Sequence, residues 1–271
     1  MPTTLFNSSD ISLWESILDQ YPDALSHHVA SKKDNSLLKL DEWYQTTLPA
    51  VLATRSPVYM TSKELCQLMS WKLKRGKFRP NLLKLAESNS DADVKRVSEE
   101  AFKLIPTGLR AAITKMAELK GVGPATASAI LCSGAPSEVP FMADETMASV
   151  PGLGPIAYTI PYYIRFAAKV IEKAKELEER GSAKVTSPHL VEMALWSEYI
   201  LDKYSVPRKV QSSPIKNSQE APNKVTPDTQ KQMKSKAVGS KRQAEPTSND
   251  CAPEKRAKTI TPTQSRTTRR A

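Results

Sequence analysis

Residues 119–131 read LKGVGPATASAIL. Two glycines and a proline here either hold a phosphate or only turn one helix into the next. ITKMAELK before them and PATASAILC after them both carry helical spacing. Pro124 stands at the first position of the second helix, where its missing N–H costs nothing. The expected unit is therefore a helix, a short hairpin and a second helix. Gly121 and Gly123 permit positive φ and let a ligand approach the backbone. Val122 is apolar and fits as a plug between the helices. The N–H groups that open the second helix, around Ala125 and Thr126, then face outward as an anion site, because orphan donors and the positive helix end act together. The plain alternative is a tight turn with no ligand.

Outward from this stretch the chain reads as helix after helix. Ser9 or Asp10 caps a helix that runs to Gln20. A second helical pattern covers residues 36–53. Thr61 and Ser62 precede KELCQLMSWKLKR, with Leu65, Leu68, Met69 and Leu73 on one face and Gly76 as a stop. NLLKLAESN forms a short helix after Pro80. Asp91 or Asp93 caps VKRVSEEAFKLI, and residues 108–119 form another helix. A long helix follows Ile160 and ends at Gly181. Ser187 and Pro188 open the last one. SEVPFM, residues 137–142, is the nearest thing to an extended stretch. The fold class expected is all-α, with roughly nine or ten helices.

Charge divides the chain. Residues 1–204 hold 24 Lys+Arg and 24 Asp+Glu, while residues 205–271 hold 15 against 5. The whole formal charge of +10 thus lies in the last quarter, which contains no Phe, Trp or Tyr. Such a segment cannot bury enough apolar surface to offset the entropy of ordering it, so a disordered tail is expected from residue 205. Cys66, Cys132 and Cys251 have no metal-like spacing, and His27, His28 and His189 complete no zinc pattern. That is reduced, intracellular usage, with no metal and no cofactor expected. No secretory signal and no membrane-length apolar run is visible. A monomer is expected.

The pattern Leu-x-Gly-Val-Gly-x-x-Thr-Ala resembles the helix-hairpin-helix element of DNA-binding proteins. Asp144 lies 21 residues after Gly123, in VPFMADETM. In that arrangement the chain resembles the helix-hairpin-helix DNA glycosylase superfamily, in which a catalytic aspartate follows the hairpin at about this distance. The resemblance covers residues 61–201, with its specific residues in 119–144. It implies DNA as partner, phosphate contacts at Gly121, Val122, Gly123, Ala125 and Thr126, and a catalytic carboxylate at Asp144, with Glu145 as competitor. The lysine that gives some members lyase activity is absent, since Pro124 and Ala125 stand at those places. The implied activity is therefore monofunctional base excision.

The chemistry is consistent with a carboxylate at this point. Cleaving an N-glycosidic bond builds positive charge on the sugar, and a fixed carboxylate stabilises it and steers water. As a plain alternative, Asp144 is only the cap of a helix over ETMASV. Trp71, Tyr158, Tyr162 and Tyr163 are either walls of a pocket for an extruded base or ordinary core aromatics. WKLKRGKFRPN packs Lys72, Lys74, Arg75, Lys77 and Arg79 into eight positions. These cations, Lys74, Arg75 and Lys77 among them, either contact phosphates or close a helix end. VPGLGPIAYTI echoes the hairpin more weakly, because Pro161 breaks the next helix early, and is expected to be a loop near Asp144.

In the tail, Lys241-Arg242 and Lys255-Arg256-Ala257-Lys258 are separated by twelve residues. That resembles a bipartite nuclear localisation signal and implies a nuclear import receptor as partner and a nuclear location. Two other function classes stay open: a nucleic-acid-binding module without chemistry, and a protein-interaction scaffold.

Overall fold

The computed structural model describes residues 5–32 and 34–208. The fold is all-α, with twelve α-helices and no strand among the described residues. The disordered-tail and nuclear-localisation readings at Lys241, Arg242, Lys255, Arg256 and Lys258 lie outside the described residues.

Helix α1 (Ile11–Asp19) is capped by Asp10, whose side chain accepts from the Leu13 N–H. Helix α2 (Tyr21–Lys32) was not expected. Its stripe is interrupted by polar His28, which is nevertheless buried and hydrogen-bonded through Nε2 to the Arg75 carbonyl at 2.8 Å. The expected helix over 36–53 is present as α3 (Ser36–Glu42) and α4 (Leu48–Ala53), joined by a π turn at Trp43–Thr47. Pro49 explains the turn. It has no N–H to give and its ring crowds the preceding turn, so the chain widens just before it.

Helix α5 (Ser62–Arg75) starts with a full capping box, Thr61 and Glu64 bonding each other's backbone, and stops at Gly76. Pro80 opens α6 (Pro80–Glu87). The cap of α7 (Asp91–Leu104) is Ser90, and not Asp91 or Asp93, because Ser90 is the residue still in extended conformation. Helices α8 (Leu109–Met116) and α9 (Pro124–Gly134) flank the Gly121–Gly123 turn, with α8 shorter than expected. The short α10 (Asp144–Ser149) comes next, then α11 (Ile160–Glu179) and α12 (Pro188–Lys203). Pro161 does not interrupt α11. It sits in the first turn, where Thr159 caps the helix.

Helix α9 lies at the centre. Its small residues, Ala125, Ala127, Ser128 and Ala129, are buried and let α4, α5 and α8 come close. Tyr44 donates to the Ala129 carbonyl at 2.9 Å and stacks on Trp71 at 3.5 Å between ring centres. The SEVPFM stretch is buried at Val139, Phe141 and Met142 but pairs with no strand. Met142 donates its N–H to Ser128 Oγ at 3.0 Å, and Tyr163 donates to the Pro140 carbonyl at 3.1 Å. These two bonds fix the lead-in to α10 and so the place of Asp144.

Helices α1 and α2 pack on α12, so the N-terminal helices share the body. Residues 205–208, placed in the tail by composition, pack back on α12. Arg208 pairs with Glu198 Oε1 at 2.9 Å, the oxygen that also accepts the Leu5 N–H at 3.1 Å.

Candidate nucleic-acid interface

The stretch 119–131 turns where expected. Val122 donates its N–H to the Leu119 carbonyl at 3.1 Å and is buried between the helices. Gly121 has φ +79°, and a Cβ there would lie 2.9 Å from Leu85 Cβ. This position needs glycine both for conformation and for its contact with α6. Gly123 does not use the left-handed region. It is the extended cap of α9, at φ −93° and ψ −178°, and nothing lies within 4 Å of a Cβ built on it. Its carbonyl takes the N–H groups of Thr126 and Ala127, each at 2.9 Å. Of the N–H groups that the sequence offers to an anion, those of Val122 and Thr126 are thereby taken.

A cleft of about 370 Å³ opens in front of this turn. Gly121, Gly123 and Thr126 line it together with Lys72, Arg79 and Tyr158. The same Lys72, Arg79 and Tyr158 also line a recess of about 40 Å³ that contains Asp144 and Glu145. One continuous surface thus joins the start of α9 to the two carboxyls.

Asp144 is the first residue of α10 and not its cap, which is Ala143. Its side chain is free of capping work and instead accepts from the Tyr158 hydroxyl at 2.7 Å. Burial and this bond push the Tyr158 phenol up to about 12. Arg79 lies over the Tyr158 ring at 5.7 Å. Burial also raises the Glu145 carboxyl above its usual range, with the Asp144 charge adding to it and Arg75 pulling the other way. Burial lowers the Lys72 ammonium below the usual lysine range, opposed by Asp144 and aided by Arg79. Two adjacent carboxyls therefore sit in unlike surroundings, one on the recess and hydrogen-bonded by a phenol, the other desolvated.

The basic cluster divides by face. Arg75 is 2% exposed and cannot reach a phosphate, which corrects its place among the DNA contacts. It pairs with Glu192 at 3.0 Å and lies over the rings of Trp71, Phe141 and Trp196 at 5.5, 5.5 and 4.3 Å. Burial works against the charge of Arg75, but Glu192, Tyr21, Asp41 and Glu145 hold it on. Lys74 is paired with Asp34. Lys77 is exposed and forms no ion pair among the described residues. Lys72 and Arg79 are the cations that line the cleft.

Of the four candidate wall aromatics, Trp71, Tyr162 and Tyr163 belong to the core, and Tyr158 alone stands in the site, 42% exposed. The loop VPGLGPIAYTI delivers it, with Gly152 at φ +74° and Gly154 at φ +73°. Among the described residues no group of three His, Cys, Asp or Glu is placed to hold a metal ion, and no helix is long and apolar enough to cross a membrane. Compared with family models, curated proteins and solved structures, the chain matches none.

Proposed function

We propose that the chain binds DNA through the turn at Gly121–Val122–Gly123 and hydrolyses the N-glycosidic bond of an altered nucleotide. The observation that carries this reading is the shared wall: Lys72, Arg79 and Tyr158 line both the cleft at the start of α9 and the recess of Asp144. A backbone phosphate on the Gly123 and Ala125 N–H groups, with Lys72 and Arg79 around it, sets a sugar near the recess, which Lys77 lines. Asp144 then stabilises positive charge growing on that sugar and orients water. Glu145, whose hold on its proton burial strengthens, is the group placed to supply the proton that the leaving base needs. The basic clusters of the tail support a nuclear setting reached through an import receptor.

A recess of about 40 Å³ is too small for a base. In the catalytic reading Tyr158, exposed and held to Asp144 by one hydrogen bond, turns away to open it. The recess also favours a second reading, in which Tyr158 stays and the chain binds DNA without chemistry.

The full chain separates these readings at physiological salt. It is titrated with a duplex carrying a tetrahydrofuran abasic analogue and with the same duplex undamaged. Preference for the abasic duplex, weakened by Gly123→Ala, supports the DNA reading. Base release in a screen of damaged duplexes, lost in Asp144→Asn, selects catalysis, and binding without release selects the second reading. No binding to either duplex overturns both.

A further inference from the structure

Helices α3 and α6 both pack on α5, and a groove of about 620 Å³ lies between the three. That is within the size range of surfaces that hold a ligand, roughly 300–1,000 Å³. Two kinds of residue line it. Leu73, Leu83 and Phe78 are apolar, with Leu83 half-buried and Phe78 74% exposed. Among the described residues its charged lining is Lys32, Lys74 and Lys77 against Asp34. This excess of cations is local, because residues 1–204 balance 24 Lys+Arg with 24 Asp+Glu. It is also built in. Lys32 Nζ donates to the Lys74 and Gly76 carbonyls at 2.5 and 3.0 Å, which closes the end of α5 and fixes an ammonium at the groove. Lys74 is paired with Asp34, and that pair is exposed to water. Lys77 forms no ion pair among the described residues and is open to a partner.

We infer that this groove docks an acidic amphipathic helix of a partner protein. The inference goes beyond the DNA reading and does not depend on it. Helical walls seat a helix by its apolar stripe, whose side chains at i, i+3 or i+4, and i+7 enter between them. Carboxylates flanking that stripe then meet Lys77 and Lys32. Charge and apolar lining together select this occupant. Duplex phosphates match the cations but bring nothing apolar to Leu73 and Leu83. The chain's own last quarter, with 15 Lys+Arg against 5 Asp+Glu, is repelled. A second copy presents a body of zero net charge and so lacks the electrostatic match. Asp34 is the carboxylate that an incoming helix competes with. It gives up Lys74 readily, because an exposed ion pair contributes little.

The test titrates the full chain, at physiological salt, with a short fluorescein-labelled peptide that carries leucines at helical spacing and glutamates on both flanks. A scramble of the same composition is the control, and the basic tail attracts both peptides alike. Wild type prefers the ordered peptide by about tenfold, read by anisotropy. Leu83→Asp removes the preference. Lys77→Glu weakens the ordered peptide by about threefold and Asp34→Asn strengthens it by about threefold, the worth of one exposed charge. Lys77 and Asp34 are exposed, so these two variants keep their thermal midpoints, which are checked alongside, and loss of fold would not give effects of opposite sign. The inference is overturned if the scramble binds as tightly as the ordered peptide, or if Leu83→Asp and Lys77→Glu bind as wild type does. It is overturned in favour of a second copy if wild type sediments as a dimer that Leu83→Asp dissolves. It is overturned in favour of nucleic acid if Leu83→Asp loses duplex and keeps the ordered peptide.

Discussion

The Tyr158 hydroxyl donates to Asp144 Oδ2 at 2.7 Å across 14 residues of chain, joining the loop after α10 to the first residue of α10. In the catalytic reading this bond is a latch, since the same oxygen is wanted by the sugar and the water. Tyr158→Phe keeps the ring and removes the latch. We expect it to strengthen binding to abasic duplex severalfold, up to about tenfold, the net worth of one hydrogen bond. Thermal stability should hardly move, because Tyr158 is partly exposed. Weaker binding would mean that the hydroxyl itself contacts DNA.

The two glycines of the turn should separate fold from binding. Gly121→Ala forces a side chain into a left-handed conformation and against Leu85, Leu82 and Ala86 of α6. It should cost about 1–3 kcal/mol of stability, read by urea unfolding. Gly123→Ala meets nothing within 4 Å and keeps an ordinary φ. Its cost should stay below about 1 kcal/mol, while its methyl group takes up room in the cleft that Gly123 lines and weakens DNA binding. Equal behaviour of the two variants would contradict this division.

Arg75 and Arg79 should differ in kind. Arg75→Ala leaves the Glu192 carboxyl buried without its partner and should destabilise the chain by about 3–5 kcal/mol. Arg79→Ala should leave the thermal midpoint alone and lower the slope of log affinity against log salt by about one. A stable Arg75→Ala, or an Arg79→Ala with unaltered slope, would place these cations wrongly.

Stability should fall as pH drops below 6.5. Burial holds His28 down at about 4 and His189 down at about 3. Both lie below the ordinary 6.5, so the unfolded chain takes up the protons first and stability is lost as pH falls. Glu192, which burial pushes up to about 7 against the pull of Arg75, opposes this between pH 7 and 4.5, where the folded chain holds the proton. The Glu145 carboxyl, which burial also raises, opposes it as well, so the two imidazoles are offset in part and the net loss should stay below about 1 kcal/mol per pH unit in this window. Urea unfolding midpoints at pH 6.5 and 5 check it, and a flat profile would show that the imidazoles do not stay neutral.

What could be read from the sequence was local. Thr61 with Glu64, and Ser187 with Pro188, announce α5 and α12 because cap and first turn are neighbours in the chain. The turn at Gly121 is legible for the same reason. Helix α2 escaped because burial of His28 is justified only by a carbonyl 47 residues away. Arg75 carried a usable sign, since it continues the stripe of Leu68 and Trp71 at helical spacing. A cation on an apolar stripe needs a buried acid, and that acid, Glu192, stands 117 residues on. Tyr158 was one aromatic among four, and only the loop around Gly152 and Gly154 selects it.

Leu5 and Arg208 meet on one oxygen of Glu198, a clasp at the two ends of the described chain. A pulling force applied between residues 5 and 208 therefore loads this clasp before any helix. With residues 5 and 208 so close, a chain cut at these two points can be closed by a short peptide and new termini opened in another loop. A circularly permuted body of this kind would keep the cleft and the recess of Asp144 intact while letting a reporter be fused beside either of them.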